Sequence, residues 1–444
     1  MKDFISAVDK HKRLILNAEK YIWENPETGF REIKTSKYME EQFIKLGYDL
    51  ILAENIPGFY TVLDTGKPGP EILVLGELDS IICPTHKDAD PVTGAVHSCG
   101  HNAQCAALIG VAAALKEPDV LNKLCGKIRL CAVPAEELLE IEYRTNLMKE
   151  GKIKYFGGKP EFLYRGYFDG VDIALMIHTT ADDNFCTMLG GVGCLAKHII
   201  YKGVASHAGG SPWNGKNALY AATCGINACN ALRETFKDSD VIRFHPIITH
   251  GGDMVNAIPE KVDIESYVRG MSFDAIAESN KRLNQALIGA ALSLGNNIEI
   301  IDKPGYAPHK NDENMIKLAK DAFKLTFPDK VLMEKNYYSS GSTDMGDLSQ
   351  IMPVVHPYAP GAKGKAHGSD YRIENPETAC VDSAKWQLGM LYLLLTDNAS
   401  RAKDIIKNFQ PNFKNKDEYL EYCDSLACSG DRIIYGENET KIRL

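Results

Sequence analysis

The residues best suited to chemistry lie in one short segment, residues 97–101, which contains two imidazoles and a thiol. Within it, Cys99 and His101 are separated by a single residue, so a looped backbone can direct both side chains to one point. A thiolate and an imidazole are ligand types that zinc and cobalt prefer and that manganese accepts less strictly. For an isolated pair, a structural cysteine beside a helix-capping histidine is the better explanation. The metal interpretation therefore requires further ligands and a base from the rest of the chain.

The elements that must position these residues are predicted strands whose ends carry polar groups. Three almost entirely apolar segments are each followed by acidic or histidine side chains: residues 71–76 by Glu77 and Asp79, residues 127–133 by Glu136 and Glu137, and residues 172–177 by His178. Apolar runs of this length are typical of strands buried on both faces. Because functional groups gather at the carboxyl ends of strands in open α/β sheets, we expect one site on one parallel-rich sheet.

A second unit is predicted from about residue 185, where the pattern changes to alternating strands and two helices. The order strand, helix, strand, strand, helix is typical of a small α+β sandwich. We expect its helices, residues 217–236 and 274–294, to cover one face of its sheet each. A hinge is expected at the two crossings, near residues 186–190 and 299–304, where glycine and proline residues occur.

The predicted fold class is therefore α/β, with a parallel-rich mixed sheet flanked by helices and an inserted α+β sandwich. Residues 1–188 and 302–444 are assigned to the larger domain, and residues 189–301 to the inserted domain. Residues 399–444 form a charged C-terminal extension, whose structure the pattern does not predict.

Composition excludes several classes of partner. The 444 residues carry a net charge of -9, whereas nucleic-acid binding requires a basic face. No apolar segment approaches the ~20 residues of a membrane span, and the N-terminus lacks the apolar core of a signal peptide. The 12 cysteines are scattered through apolar segments, which is typical of reduced, buried thiols. We therefore expect a cytoplasmic protein that binds neither nucleic acid nor a membrane.

Several motifs together resemble the two-domain metallo-amidohydrolases and peptidases, a family that includes hippurate hydrolase, aminoacylases and auxin-conjugate hydrolases. The motifs are Asn25-Pro26-Glu27-Thr28-Gly29-Phe30, Gly76-Glu77-Leu78-Asp79, Cys99-Gly100-His101-Asn102, Pro134-Ala135-Glu136-Glu137, His178 and Ser206-His207-Ala208. The resemblance extends from about residue 10 to residue 396. It implies that the larger domain is a metallopeptidase catalytic domain and that the inserted domain serves as a lid and in dimerisation.

Within this family, residues 76–79, 99–102 and 341–346 are most similar to the branch of p-aminobenzoyl-glutamate hydrolase and β-alanyl-lysine dipeptidase. The chain departs from that branch in two places. A longer insertion replaces the glycine-rich turn after Glu137, and His367 lies in a different local sequence. Both departures bear on the substrate more than on the chemistry.

The resemblance implies a metal centre that holds one or two divalent ions, Zn²⁺ or Mn²⁺, with Co²⁺ possible. Its implied ligands are Cys99, His101, Glu137, His178 and His367. Singly, each of these residues has a simpler explanation: His178 as a hydrogen-bonded histidine at a strand end, for example, or His367 as a loop histidine in solvent. As a set they have the types that a catalytic metal requires.

The residues around the metal also take roles from the resemblance. Glu136 is implied to be the general base and acid, and Asp79 to orient a ligand histidine. The simpler explanations are a surface pair of glutamates and a helix or loop cap. Asp344, in the loop 341–346, is interpreted as a cap of the helix that follows.

Three residues of the inserted domain are implied to act on the substrate. His207 would stabilise the oxyanion, often in the partner subunit of a homodimer. Asn256 and Arg269 would contact the substrate's carbonyl and carboxylate, because an arginine binds a carboxylate in bidentate fashion. A structural salt bridge is the competing explanation for Arg269.

The sequence thus predicts a metal-dependent amidohydrolase that cleaves the amide bond of a dipeptide or an N-acyl or N-aroyl amino acid. Metal-activated water and a glutamate base would carry the reaction. The alternatives are a carboxypeptidase that acts on longer peptides, a non-catalytic binding subunit, and a hydrolase with Cys99 as its nucleophile.

Overall fold

The computed structural model describes residues 1–443, and its larger domain is built on a six-stranded central sheet. In spatial order, the strands are Ile51–Leu52, Phe59–Asp64, Lys127–Val133, Glu71–Glu77, Ile173–Leu175 and Val354–Val355. The last four strands run parallel to one another, and the first two are antiparallel. The three predicted apolar segments are adjacent at the centre of this sheet, as expected.

Both faces of the central sheet are buried, which explains why its strands are apolar without alternation. Ile72 and Val74 point into one core, which the helix His101–Leu115 fills. Leu73 and Leu75 point into a second core on the opposite face. The helix His101–Leu115 is buried along its whole length, so it is apolar on every side.

Helices surround this sheet. Those of the larger domain are Lys2–Lys10, Lys12–Trp23, Ile33–Lys45, His101–Leu115, Pro118–Leu121, Ile141–Lys149, Gly158–Tyr164, Glu313–Thr326, Met345–Ser349, Ser383–Leu395, Ser400–Asn408 and Lys416–Leu426. A second sheet of this domain contains His309–Lys310, Phe185–Gly191, Tyr358–Pro360 and His178–Thr180, with Leu332–Ser339 beside Phe185–Gly191. This sheet holds His178 next to the carboxyl ends of the central strands.

The inserted domain contains an antiparallel sheet and two helices. Its strands are Arg243–Phe244, Lys261–Gly270, Gly193–Lys202 and Asn297–Tyr306, with Ile247–His250 also paired to Lys261–Gly270. Its helices are Ala218–Ala231 and Phe273–Ser293. Both predicted domain boundaries fall inside strands, since Phe185–Gly191 spans residue 188 and Asn297–Tyr306 continues beyond residue 301.

The expectation that the two helices cover opposite faces of this sheet is wrong. Both helices pack side by side against the same face, where Ile199 and Tyr201 contribute to their common core. The opposite face, which includes Cys194 and Ala196, packs against the larger domain instead. That face is occupied by the insertion that follows Glu137, so it has no room for a helix of the inserted domain.

The C-terminal extension contacts both domains. Its helix Lys416–Leu426 buries Tyr419 in a core of the larger domain, where the Tyr419 hydroxyl donates a hydrogen bond to Asp347. Beyond this helix, Cys428 exchanges two backbone hydrogen bonds with Asp302, of 2.9 and 3.0 Å. Ile433 is buried in the core of the inserted domain. The extension therefore lies across the junction of the two domains.

Among residues 1–443, no helix is both long and apolar enough to cross a membrane. All 12 cysteines have free thiols, and most of them are buried. The cytoplasmic location stays a prediction.

Candidate active site

The five residues implied as metal ligands meet at the carboxyl end of the central sheet, in two groups of three. Cys99, His101 and His178 form the first trio, and Cys99, Glu137 and His367 form the second. Within each trio, the potential ligand atoms all lie within 4.8 Å of one another. Because Cys99 belongs to both trios, its thiolate sulfur can bridge two ions.

A tight turn before a helix places Cys99 and His101 together. Gly100 has a φ of 92°, a left-handed conformation that glycine adopts without strain. A β-carbon at this position would also overlap with Thr179 and Tyr371. The segment therefore needs a glycine between its two ligands.

Both histidines of the first trio present Nε2 to the centre, because their Nδ1 atoms have other partners. Nδ1 of His101 lies 2.9 Å from the backbone oxygen of Asp79 and 3.2 Å from its carboxylate. Nδ1 of His178 lies 2.6 Å from the backbone oxygen of Thr179. Such a contact fixes the tautomer with the proton on Nδ1, which leaves the Nε2 lone pair for a metal.

Asp79 also positions the second trio. Its other carboxylate oxygen accepts a hydrogen bond of 2.7 Å from the backbone N–H of Glu137. One fully buried carboxylate thus holds His101 and the strand end that carries Glu137. This placement agrees with the orienting role that the sequence implies for Asp79.

The chemistry of the buried atoms fits a divalent cation. Nε2 of His101 and Oε1 of Glu137 are buried and have no hydrogen-bond partner. Nε2 of His367 lies 2.9 Å from that same oxygen of Glu137, but the two are not aligned as a hydrogen bond. Unpaired buried polar atoms cost free energy, and a common ion would satisfy them.

The electrostatics of the site favour ionised ligands. Burial and the Glu137 carboxylate act to raise the pKa of the Cys99 thiol, but His101 and His178 outweigh them and lower it to about 6. Burial also acts to raise the pKa of Glu137, but His367 outweighs it and lowers that pKa to about 2. A thiolate and a carboxylate are the forms that bind metal.

The adjacent glutamates differ in their surroundings. Glu137 belongs to the second trio, whereas Glu136 groups with Glu77 and His101. Oε2 of Glu136 lies 3.8 Å from Nε2 of His101. Burial and the nearby Glu77 and Glu137 carboxylates raise the pKa of Glu136 well above its usual range. A carboxyl group that holds a proton readily is suited to proton transfer.

The sequence analysis missed a buried cation beneath this site. Lys159, in the insertion after Glu137, is fully buried, and its ammonium pairs with Glu77 at 2.5 Å and with Asp344. The backbone N–H of Lys159 also donates to Asp344 at 2.9 Å. The cap interpretation of Asp344 is therefore wrong, since its carboxylate makes no cap hydrogen bond and binds Lys159 instead. The only sequence signal was a lysine beside two glycines.

Two buried imidazoles were also missed. His309 and His356 line the cavity above the ligands, and both rings are almost completely buried. Burial lowers the pKa of His309 to about 4 and that of His356 well below its usual range, so both are neutral. His356 ends a short buried strand, which is the signal that singled out His178.

The cavity has a volume of about 440 Å³ and lies between the two domains. Cys99, Glu136, Glu137, His178 and His367 all line it. Arg269 and Tyr267 of the inserted domain form part of its wall.

The structure does not bring the other two implied substrate residues into this cavity. His207 and Asn256 are exposed on the inserted domain, where the Ala208 N–H donates to the Asn256 backbone oxygen at 2.9 Å. They are therefore neighbours of each other but not of the ligand trios of their own chain.

Comparison with known proteins agrees with this arrangement. Residues 79–392 match the model of Peptidase family M20/M25/M40. The chain is 31% identical to mouse Xaa-Arg dipeptidase over 340 residues, which covers 73% of this chain and 69% of that protein. It is 26% identical over 331 residues to one of the two kinds of chain in p-aminobenzoyl-glutamate hydrolase of Escherichia coli, covering 71% of this chain and 64% of that one.

The fold is also similar to a solved structure from Bacillus subtilis, described as a dinuclear metal-binding peptidase of the M20 family. The TM-score is 0.63 at 18% identity, and the match covers 87% of this chain and 99% of that chain. The family match and the converging ligand trios lead to one conclusion: the chain belongs to Peptidase family M20/M25/M40 and is a metal-dependent hydrolase of amide bonds.

Proposed function

We propose that the enzyme releases an amino acid from a dipeptide or from an N-acyl or N-aroyl amino acid. The observation that carries this proposal is the pair of ligand trios that share Cys99, with Glu136 beside them at the base of an interdomain cavity. The mouse relative is named as a dipeptidase and the Escherichia coli relative as part of a p-aminobenzoyl-glutamate hydrolase, which supports small amide substrates.

Cys99, His101, Glu137, His178 and His367 would hold one or two ions of Zn²⁺ or Mn²⁺, or Co²⁺. The description of the Bacillus subtilis structure as dinuclear supports two. When bound, a divalent metal supplies Lewis-acid activation of water and of the scissile carbonyl. The rest of the reaction falls to this chain's own side chains.

Glu136 is the general base and acid of the proposed reaction. Its carboxylate takes a proton from the attacking water and later gives that proton to the leaving nitrogen. Asp79 acts through His101 and Glu137, which it holds in place, and Arg269 binds the carboxylate of the released amino acid in the cavity wall.

Metal removal tests this proposal and also the thiol alternative. A panel of dipeptides and N-acyl amino acids is assayed for amine release before and after treatment with a chelator. We expect activity to disappear and to return with Zn²⁺, Mn²⁺ or Co²⁺, with metal analysis showing one or two ions per chain. A hydrolase with Cys99 as nucleophile would keep its activity in chelator, and this result would contradict the metal mechanism.

We also propose that the enzyme is a homodimer in which His207 and Asn256 reach the cavity of the partner subunit. Their exposure and their distance from their own trios support this arrangement. Large apolar side chains are exposed nearby, and such patches are typical of interfaces: Trp213, Tyr220, Met254 and Val255.

Hybrid dimers test whether His207 acts across subunits. We expect His207→Ala and Glu136→Gln each to be nearly inactive alone. Mixed and allowed to exchange subunits, they should recover on the order of a quarter of the wild-type activity, because half of the dimers contain one intact composite site. Sedimentation of each variant checks that dimers form. Dimers that exchange subunits but recover no activity would contradict action across subunits.

A further inference from the structure

A second cavity of about 440 Å³ adjoins the cavity that contains the ligand trios. The two share Tyr267 and Arg269 in their walls. The second cavity extends from there along the inserted domain, between its sheet and the insertion that follows Glu137. A substrate that reaches Arg269 from the ligand trios would therefore have room to extend further.

The wall of this second cavity carries an uncompensated pair of positive charges. Arg243 and Arg269 lie directly opposite each other on neighbouring antiparallel strands. Directly opposed side chains have β-carbons about 4.5–5.5 Å apart, and like charges at such positions destabilise a sheet. Within residues 1–443, neither guanidinium forms a salt bridge with a carboxylate.

The contacts that these arginines do make leave most of their N–H groups available. Nη1 of Arg243 donates to the neighbouring backbone oxygen of Ile242 at 2.9 Å. The Arg269 guanidinium lies 5.6 Å from the centre of the Tyr267 ring, which positions it without neutralising it. An anionic ligand would relieve the repulsion between the two.

Glu265 is the nearest acidic candidate in the same cavity, and its placement does not neutralise the pair. It faces the same side of the strand as Arg269 but is four residues away, roughly 13 Å along an extended backbone. Its carboxylate accepts a hydrogen bond of 3.3 Å from the backbone N–H of Glu142 instead. The positive end of the cavity therefore lies nearest the ligand trios.

We propose that Arg243 is a specificity-determining residue that binds the side-chain carboxylate of an acidic amino acid, aspartate or glutamate, on the leaving side of the substrate. The inference rests on the proposed function, in which Arg269 binds the α-carboxylate of that amino acid. Two adjacent guanidiniums match two carboxylates on one short chain, and each can be bidentate. A basic side chain would add a third positive charge at the same place.

Three substrates with the same acyl group test this inference: N-benzoyl-L-glutamate, its neutral isostere N-benzoyl-L-glutamine, and N-benzoyl-L-arginine. We expect the wild-type enzyme to prefer them in that order by kcat/KM. In Arg243→Met, the ratio of glutamate to glutamine activity should fall about 10- to 100-fold, the effect of one charged hydrogen bond. Arg243→Lys should retain part of the preference, since it keeps the charge but loses the bidentate geometry.

Arg282→Met is the matched control. Arg282 is an exposed arginine of the same domain on the helix Phe273–Ser293, on the other side of the sheet from both cavities. We expect this variant to keep the wild-type ratio. An equal fall in both arginine variants would point to the net charge of the domain and would overturn the assignment of Arg243.

The remaining outcomes separate this inference from the proposed function. If the glutamine substrate is hydrolysed as well as the glutamate substrate, the amide hydrolase stands and the acidic preference is wrong. If none of the three is hydrolysed, calorimetric binding of the products to the metal-loaded enzyme decides instead. Tighter binding of L-glutamate than of L-glutamine, lost in Arg243→Met, supports the inference, and equal or absent binding of the two overturns it.

Discussion

At the scale of single residues, the two adjacent glutamates are the most informative pair. Consecutive side chains after a strand point in different directions, and the structure directs Glu136 and Glu137 to different neighbours. Glu137 faces the second ligand trio, and Glu136 faces Glu77 and His101. A metal ligand and a general base can therefore be neighbours in sequence.

Substitution with glutamine should separate the two roles, because the amide keeps the shape of the carboxylate but cannot take up a proton. We expect Glu136→Gln to keep its metal and to lose about 10²–10⁴-fold in turnover, as is usual for a general base. We expect Glu137→Gln to bind metal more weakly and to regain part of its activity in excess metal. Metal analysis with turnover at saturating metal measures both. Loss of metal from Glu136→Gln, with retention in Glu137→Gln, would reverse the assignment.

Lys159 provides a prediction about stability. Its ammonium is the buried partner of both Glu77 and Asp344, so its removal leaves two carboxylates buried and unpaired. We expect Lys159→Met to lower the free energy of unfolding by about 3–5 kcal/mol, the usual cost of a broken buried ion pair.

Lys202→Met is the control for this prediction. Lys202 also pairs with two carboxylates, those of Glu299 and Asp431, but at a partly exposed site. Its loss should cost no more than about 1 kcal/mol. Urea unfolding of the three proteins provides the comparison. Equal stability of the two variants would show that the buried cation does not hold the site together.

At the scale of elements, the short helix Met345–Ser349 and the C-terminal helix Lys416–Leu426 meet through Asp347 and Tyr419. Burial raises the pKa of Asp347 from 3.8 to about 8, although the hydrogen bond from Tyr419 opposes this shift. Between these two pH values the folded protein holds a proton that the unfolded chain has released. The stability of the fold therefore decreases as pH rises through this range and levels off above it.

Asp347→Asn should remove this dependence, because the amide cannot ionise. We expect the variant to gain stability relative to the wild type as pH rises from about 4 to about 8, by about 1–3 kcal/mol in total, the cost of an unsatisfied buried group. Chemical unfolding across this pH range measures the difference. A difference that does not change with pH would show that Asp347 is ionised in the fold.

At the scale of the whole molecule, the C-terminal extension connects the two domains. It lies outside the residues that match the family model, which end at residue 392. One of its helices packs on the larger domain, and Ile433 packs in the core of the inserted domain. The extension therefore contributes to the stability of a domain to which it is not adjacent in sequence.

Two neighbouring isoleucines test this contribution. Ile433 is 1% exposed, whereas Ile434, on the other side of the strand, is 40% exposed. We expect Ile433→Ala to lower the free energy of unfolding by about 2–5 kcal/mol, as in other buried cores. Ile434→Ala should change it by no more than about 0.5 kcal/mol. Thermal unfolding of both variants measures this. An unchanged midpoint for Ile433→Ala would mean that the extension is not docked on the inserted domain.

Closure of the inserted domain over substrate stays a prediction, and the extension bears on it directly. One expected hinge, residues 299–304, contains Asp302, which is hydrogen-bonded to Cys428 of the extension. Rotation at this hinge must therefore carry the extension along or separate it from the larger domain. Small-angle scattering with and without a product amino acid measures closure, and identical curves would count against it.

The sequence by itself determined the central features of the site. Three apolar segments predicted the buried central strands, and the polar groups after them predicted where the site lies. These features follow from local pattern, since a strand buried on both faces must be apolar and its carboxyl end is where the chain turns toward the site. The spacing of Cys99 and His101 likewise indicated a metal centre before any contact was known.

Tertiary structure alone decided the rest, because it depends on segments that are distant in sequence. The pairing of Lys159 with Glu77 and Asp344 links three such segments, and none carries a local signal of its charge partner. The two helices of the inserted domain share one face because the insertion after Glu137 occupies the other. Arg243 and Arg269 are opposed only through strand register, which no local pattern specifies. Long-range packing and register therefore determined the charges around the site, while local pattern determined where the site lies.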